Sequence, residues 1–150
     1  VEDLAAVVVL ERGVAEAPHW SEAEYAGIVQ VREGGVRRCL LVAEAEGRLV
    51  GFAVGKVVGV GAEGLAELES VAVDAAARRM GVGRELCGAV VGWSRRQGAA
   101  AVELEVRAGS VGAIALYAGL GFVGVGRRPG YYHAPKDDAV LMRLELMEAR

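Results

Sequence analysis

Apolar positions along the chain change their period several times, and each change predicts an element. Near the start, Leu4, Val7 and Val8 recur at helical spacing behind Asp3, which predicts a helix over residues 2–12. Ala17-Pro18-His19-Trp20 reads as a turn, and Ser21-Glu22-Ala23-Glu24 is an S-x-x-E capping box opening a second helix. Tyr25, Ile28 and Val29 form that helix's apolar face, and Gly34-Gly35 end it. From Arg38 the period changes. Cys39 to Ala45 predicts a strand, Glu46-Gly47 a tight hairpin turn, and Leu49 to Val58 the partner strand. Leu65 to Val73 predicts a third strand. Helical spacing returns with Leu86, Ala89, Val90 and Trp93, at i, i+3, i+4 and i+7, and stops near Gln97-Gly98.

Ala101 to Val106 alternates strictly, with Val102, Leu104 and Val106 on one face and the carboxylates Glu103 and Glu105 on the other. Ser110 is a candidate N-cap for a further helix with Val111, Ile114, Ala115 and Ala118 as its buried stripe, halted by Gly119 and Gly121. Phe122 to Gly126 and Asp138 to Leu146 predict two last strands, separated by a connection containing Arg127-Arg128-Pro129-Gly130-Tyr131-Tyr132-His133. The order ααββ(β)αβαββ is that of an α+β domain with a mixed sheet. No repeat or low-complexity linker breaks the chain, which predicts one domain over residues 1–150.

One segment carries candidate chemistry. The β-branched run ending at Asp74 leads through Arg78, Arg79, Gly81 and Gly83 into the helical pattern, so it reads as strand, glycine-bearing loop, helix. The first turn of such a helix has free N–H groups and a dipole that favours an anion. Gly81 and Gly83 lack a Cβ that would keep a phosphate away, and Arg78, Arg79 and Arg84 add positive charge. The segment is thus a candidate pyrophosphate seat. It lacks the lysine and hydroxyl of a P-loop, and Leu86 stands where G-x-G-x-x-G needs its last glycine. A literal Gly59-x-Gly61-x-x-Gly64 does occur, but between two predicted strands with no helix behind it, so it reads as a hairpin loop.

Composition narrows the class. Hydrophobic residues make up 53% and charged residues 25%, as in a globular protein rather than a disordered one. A net charge of −3 gives no general pull toward nucleic acid or an anionic membrane, so neither is expected as a partner. Cys39 and Cys87 are the only cysteines and suggest no disulfide framework, which predicts a reducing, cytoplasmic compartment. Neither stands beside a histidine, and no metal site is expected. No signal peptide and no run long enough to cross a bilayer is visible. The chain begins at Val1 rather than Met, which leads us to expect native residues ahead of it.

Arg78-x-x-Gly81-x-Gly83, following Val71-Ala72-Val73, resembles the acetyl-CoA-binding motif of the GNAT acetyltransferases. The resemblance sharpens downstream. Leu104-Glu105-Val106-Arg107-Ala108, Ala113-Ile114-Ala115-Leu116-Tyr117, Leu120-Gly121-Phe122, Arg127-Arg128 and Tyr131-Tyr132 follow in an order similar to that of bacterial ribosomal-protein alanine N-acetyltransferases within that superfamily. It extends from about Glu11 to Leu146 and is strongest over residues 66–123. It implies a mixed, mostly antiparallel central sheet flanked by helices, with the superfamily's first edge strand lying upstream of this sequence. It also implies acetyl-CoA as cosubstrate without a metal, and a protein N-terminal amine as acceptor, here the N-terminal alanine of a small-subunit ribosomal protein.

By the same resemblance Glu105 matches the general base and Tyr117 the general acid. Val71, Ala72 and Val73 match the family's cofactor-binding strand, with the N–H groups of Val71 and Val73 as its pantetheine and thioester contacts. The segment Arg78, Arg79, Met80, Gly81, Val82, Gly83 and Arg84 matches the pyrophosphate contacts. Ser110 stands where the family usually has an asparagine, still able to hydrogen-bond the cofactor but with less reach. The loop from Arg127 to Tyr132 carries an extra residue relative to the common pattern. On the residues alone, alternatives stay open. Glu103, Glu67 and Glu69 rival Glu105 as base, Trp20 is a substrate contact or a packing staple, and Tyr131 and Tyr132 line a peptide groove or merely anchor a loop. The acceptor could be a lysine, a polyamine or another small amine, and a non-catalytic acetyl-CoA-binding module is the reading from another class.

Overall fold

The computed structural model describes residues 36–45, 47–59, 61–77 and 81–146. The two helices expected before Val36, Trp20, the turn residue Glu46 and the segment Arg78-Arg79-Met80 lie outside the described residues. Among the described residues six strands form one sheet: β1 (Val36–Ala45), β2 (Arg48–Val58), β3 (Leu65–Val73), β4 (Ala101–Arg107), β5 (Val123–His133) and β6 (Lys136–Glu145), in the order β1-β2-β3-β4-β6-β5. Every neighbouring pair is antiparallel except β3 and β4. That parallel pair is possible because α1 (Val82–Arg96) supplies the crossover between the two strands. A second helix, α2 (Val111–Gly119), links β4 to β5. The mixed sheet with flanking helices is the expected α+β architecture.

Two glycines of β2 set how closely α1 approaches the sheet. A Cβ on Gly55 would lie 2.9 Å from Val90 Cγ1, and one on Gly51 would lie 3.0 Å from Leu86 Cδ1. The helix therefore packs directly on backbone at these points. Its buried positions are Leu86, Cys87, Val90 and Ser94, while Ala89, expected on the buried face, is exposed. Alanine is small enough to sit on either side of a helix, so its place in the pattern carried little information. Ser94 is fully buried and its hydroxyl donates to the Val90 carbonyl at 2.7 Å, so it enters the core with a hydrogen bond made.

The stripe expected for α2 also moves. Ala113, Ile114, Leu116, Tyr117 and Leu120 pack on the core, whereas Val111 is 73% exposed and Ala115 and Ala118 face outward. This helix is apolar on nearly all sides, and a sequence without contrast has no period to read. The larger correction is at β5. The Arg127–His133 stretch, expected as a connection, is the second half of that strand. β5 is an edge strand, so its outer side need not bury and its residues need not alternate. Against β6 it also holds two extra residues between Arg128 (opposite Ala139) and Tyr132 (opposite Asp137). Pro129, which has no N–H to give a ladder, falls in that bulge.

The feature that positions the site is a parting of the central strands. β3 and β4 pair only at Leu65–Ala101, Ala66–Val102 and Glu67–Glu103, after which β3 stays with β2 and β4 with β6. The separation begins beside a bulge: Val54 faces Ser70 and Gly55 faces Leu68, which leaves Glu69 without a partner on β2. An extra residue on one strand bends it and raises its local twist. The sheet therefore opens into a wedge at its middle.

Candidate active site

The wedge holds a cleft of about 870 Å³, walled by Leu68 to Val73 of β3 on one side and Leu104 to Arg107 of β4 on the other. Strand geometry decides which β3 amides face it. The Asp74 N–H donates to the Val50 carbonyl of β2 at 2.8 Å, so the amides two and four residues earlier, Ala72 and Ser70, also point toward β2. Those of Val71 and Val73 then point the other way, along an edge that β4 has left. Val71 and Val73 offer N–H groups to the cleft, whereas Ala72 lines it with its amide turned toward β2. An extended ligand laid along this edge could restore the missing half of the ladder.

Two helix N-termini open onto the same cleft. In α1 the first internal bond runs from Glu85 N–H to the Gly81 carbonyl at 3.0 Å, so the amides of Val82, Gly83 and Arg84 have no partner within the helix. All three residues and Gly81 line the cleft, as do Ser110, Val111 and Gly112 at the start of α2. Both dipoles favour an anion here. Gly81 adopts φ +80° with open space where a Cβ would stand, so it supplies the left-handed turn into α1 and a clear approach. Gly83 has a different task. A Cβ there would lie 3.3 Å from Leu116 Cδ1 and 3.7 Å from Val73 Cγ2, so its smallness lets α1, α2 and β3 meet. Ser110 makes no side-chain cap bond, so among the described residues its hydroxyl is not taken up by the helix it precedes, and it stands beside the cleft. An elongated group with a phosphate at one end and hydrogen-bonding amides along its length fits these walls.

The chemistry-bearing side chains gather on the opposite side. Glu105, Tyr117 and Tyr132 line the cleft together. Glu105 sits 3.5 Å from the Arg128 guanidinium, a loose pair with both groups partly in solvent. Tyr117 packs edge-on against Phe122, with ring centres 6.0 Å apart. Burial, then the nearby Cys87 and Tyr132, push its phenol well above the usual tyrosine value, so it carries its proton at neutral pH. Tyr132 is shifted upward by burial and then by the Glu105 carboxylate, against the opposing pull of Arg107. Tyr131 stacks edge-on against Tyr132 at 5.1 Å but is 46% exposed and outside the lining.

The rival carboxylates are placed differently. Glu69 lines the cleft, but one of its oxygens accepts from Arg38 Nε at 2.9 Å. Glu103 lies outside the lining and accepts from Arg143 at 2.9 Å. Glu67 also lies outside it, with its carboxyl raised by burial and then by its neighbour Glu69, Glu105 adding to the effect. Among the four, Glu105 combines a place in the lining with the absence, among the described residues, of a close hydrogen-bonded cation. Among the described residues no group of three His, Cys, Asp or Glu could hold a metal ion.

Several lining residues escaped the sequence reading. Ser70 is 6% exposed, and its hydroxyl has no hydrogen-bond partner among the described residues. Cys87 is buried in the cleft floor, and desolvation pushes its thiol up to about 12, so it is no nucleophile near neutral pH. Arg107, in the lining, lies 4.1 Å from the centre of the Tyr132 ring, and Arg128, outside it, lies 5.5 Å from that of Tyr131. Arg107 shares the polar face of β4 with Glu103 and Glu105, and that period-two spacing is the signal that could have marked it. The Gly59–Gly64 loop is far from any anion role: Gly61 N–H donates to the Gly98 carbonyl and the Gly59 carbonyl accepts from Arg37.

Residues 9–122 match the acetyltransferase (GNAT) family. The chain is 33% identical over 146 residues to the [ribosomal protein bS18]-alanine N-acetyltransferase of Escherichia coli K12, covering 96% of this chain and 92% of that one. It superposes on the crystal structure of the Escherichia coli ribosomal-protein-S18-alanine N-acetyltransferase with a TM-score of 0.80 at 32% identity, over 100% of this chain and 92% of that chain. A stretch of 79 residues is 47% identical to an uncharacterized protein of Mycobacterium leprae, covering 53% of this chain and 21% of that protein.

Proposed function

Because the chain belongs to the acetyltransferase (GNAT) family, we propose that it moves acetyl from acetyl-CoA to a protein N-terminal α-amine, with the N-terminal alanine of a small-subunit ribosomal protein as its substrate. The observation that carries this reading is the wedge itself: it sets the Val71 and Val73 amides, without a ladder partner among the described residues, on one wall and Glu105 and Tyr117 on the other. The amides of Val82, Gly83 and Arg84 hold the pyrophosphate, with Ser110 nearby. The β3 edge takes the pantetheine arm and leaves an amide for the thioester oxygen, whose negative charge grows as the carbonyl is attacked.

Starting from the ammonium, the transfer needs two protons removed from nitrogen, one before the attack and one after it, and one supplied to sulfur. Glu105 takes the proton of the ammonium, directly or through water, and frees the nitrogen lone pair. An α-amine has a pKa of about 8, so this step needs little driving force. The C–N bond forms, the C–S bond breaks, and the departing sulfur takes the phenolic proton of Tyr117, which its buried setting keeps in place. The nitrogen, now bonded to the acetyl carbon, gives its second proton back to the Tyr117 phenolate, directly or through water, and Glu105 passes the first to solvent. Neither a metal nor a covalent enzyme intermediate enters. The acceptor assignment is supported by the 33% identity over nearly the full length to a relative whose name gives it the alanine of bS18 as substrate.

Thiol release from acetyl-CoA tests the assignment, with short peptides bearing free N-terminal Ala, Ser or Met and an N-blocked peptide with an internal lysine. Turnover is expected on the alanine peptide, with product mass placing the acetyl on its α-nitrogen. Turnover confined to lysine or to small amines would retain the chemistry and overturn the acceptor.

A further inference from the structure

The β4–α2 turn does more than connect two elements. Arg107, two residues past Glu105, reaches the tip of the β5–β6 hairpin and donates to the Pro135 carbonyl at 2.7 Å. Its guanidinium carbon also lies 4.1 Å from the centre of the Tyr132 ring, within cation–π range. The next two residues fasten the same hairpin: Ala108 N–H donates to the Asp138 carbonyl at 2.9 Å, and Gly109 N–H to Asp137 Oδ2 at 2.9 Å. These contacts matter because the β5–β6 ladder is interrupted between Arg128 and Tyr132, where β5 holds two extra residues. A bulged ladder does not fix the angle at which the residues beyond it enter the cleft. Something outside the ladder must set the Tyr132 ring: Tyr131 stacks on it from the same bulged strand, and Arg107 is the contact that reaches it from another element.

We propose that Arg107 is a positioning residue for acceptor binding: by holding the hairpin tip and the Tyr132 ring it shapes the wall against which the acceptor peptide lies. Its side chain acts through Tyr132; toward the pyrophosphate seat only its main-chain carbonyl reaches, accepting from the Ser110 N–H at 3.0 Å, and a substitution keeps that bond, so the effect of the side chain falls on the acceptor and spares acetyl-CoA. The inference rests on the acceptor being a peptide, as proposed above.

The test compares Arg107→Ala, Arg107→Lys and Tyr132→Leu in the full chain. Three readings are taken: KM and kcat for the alanine peptide, the dissociation constant for acetyl-CoA, and the Tyr132 ring signals in tyrosine-labelled protein, assigned with Tyr132→Phe. Arg107→Ala is expected to raise the peptide KM about tenfold, with kcat within about threefold and acetyl-CoA affinity unchanged. Arg107→Lys keeps a cation and recovers part of the loss, and it remains informative if the alanine variant fails to fold. The double variant Arg107→Ala/Tyr132→Leu should lose less than the product of the two single effects, because both remove one contact. An unchanged peptide KM, or a peptide KM and an acetyl-CoA dissociation constant that rise together, would overturn the proposal. If the wild-type protein acetylates no N-terminal peptide, the acceptor assignment fails instead. The ring signals then decide the positioning role, which stands if they move in Arg107→Ala and falls if they do not.

Discussion

The two walls of the cleft are built from different materials. The β3 and α1 wall offers backbone: the Val71 and Val73 amides on an edge that β4 has left, and the first amides of a helix. The β4, α2 and β5 wall offers side chains, with Glu105, Tyr117 and Tyr132 held by Arg128, Phe122 and Arg107. Backbone amides are indifferent to which side chain stands above them, so the first wall suits a constant partner, such as a common acyl donor. Side chains set charge, shape and pKa individually, so the second wall is where one acceptor can be preferred to another.

The sharpest way to break this division is to remove the proposed acid and base from the side-chain wall. Glu105→Gln should lower kcat by at least about a hundredfold, roughly 2.7 kcal/mol of barrier, while acetyl-CoA affinity stays within about twofold. Tyr117→Phe should act in the same direction by about tenfold or more. Steady-state kinetics beside a calorimetric titration would separate the two terms. A parallel loss of acetyl-CoA affinity would mean that the walls do not divide the work.

The backbone wall is broken by conformation rather than by chemistry. Gly81→Ala forces a left-handed residue to carry a Cβ and should cost about 1 kcal/mol of stability, read by denaturant unfolding. It should also weaken acetyl-CoA binding and leave the peptide KM unchanged. The smallest effect is expected at Ser70, which belongs to β3 but contributes a side chain. Its buried hydroxyl has no partner among the described residues, so Ser70→Ala removes a desolvation cost and should be neutral or stabilising by up to about 1 kcal/mol. A clear destabilisation would reveal a hydrogen bond at that hydroxyl, such as one to a buried water.

How far each wall could be read from the sequence follows the same division. β3, the glycine turn and α1 were visible because apolar period, positive-φ glycine and free helix amides all leave marks on local sequence. The pairing of Glu105 with Tyr117 was reached by resemblance to a family, since residues twelve apart on a strand and a helix share no period. The course of β5 was not visible. An edge strand with Pro129 in a bulge reads as a loop, and its shape comes from Asp137, Asp138 and Arg107 on other elements. The packed faces of α1 and α2 were displaced for a related reason: alanine, glycine and valine on several sides give the period little contrast. Arg107 has no readable role in the L-E-V-R-A series because its partners, Tyr132 and Pro135, are tertiary.

Amide hydrogen exchange with and without acetyl-CoA tests the central claim, that the donor is held by backbone on the open edge of β3. Exchange at Val71 and Val73 and at Val82 to Arg84 should slow on binding, while Ala72, already turned toward β2, changes little. Protection that spared Val71 and Val73, or that appeared along β5 and β6 instead, would contradict it.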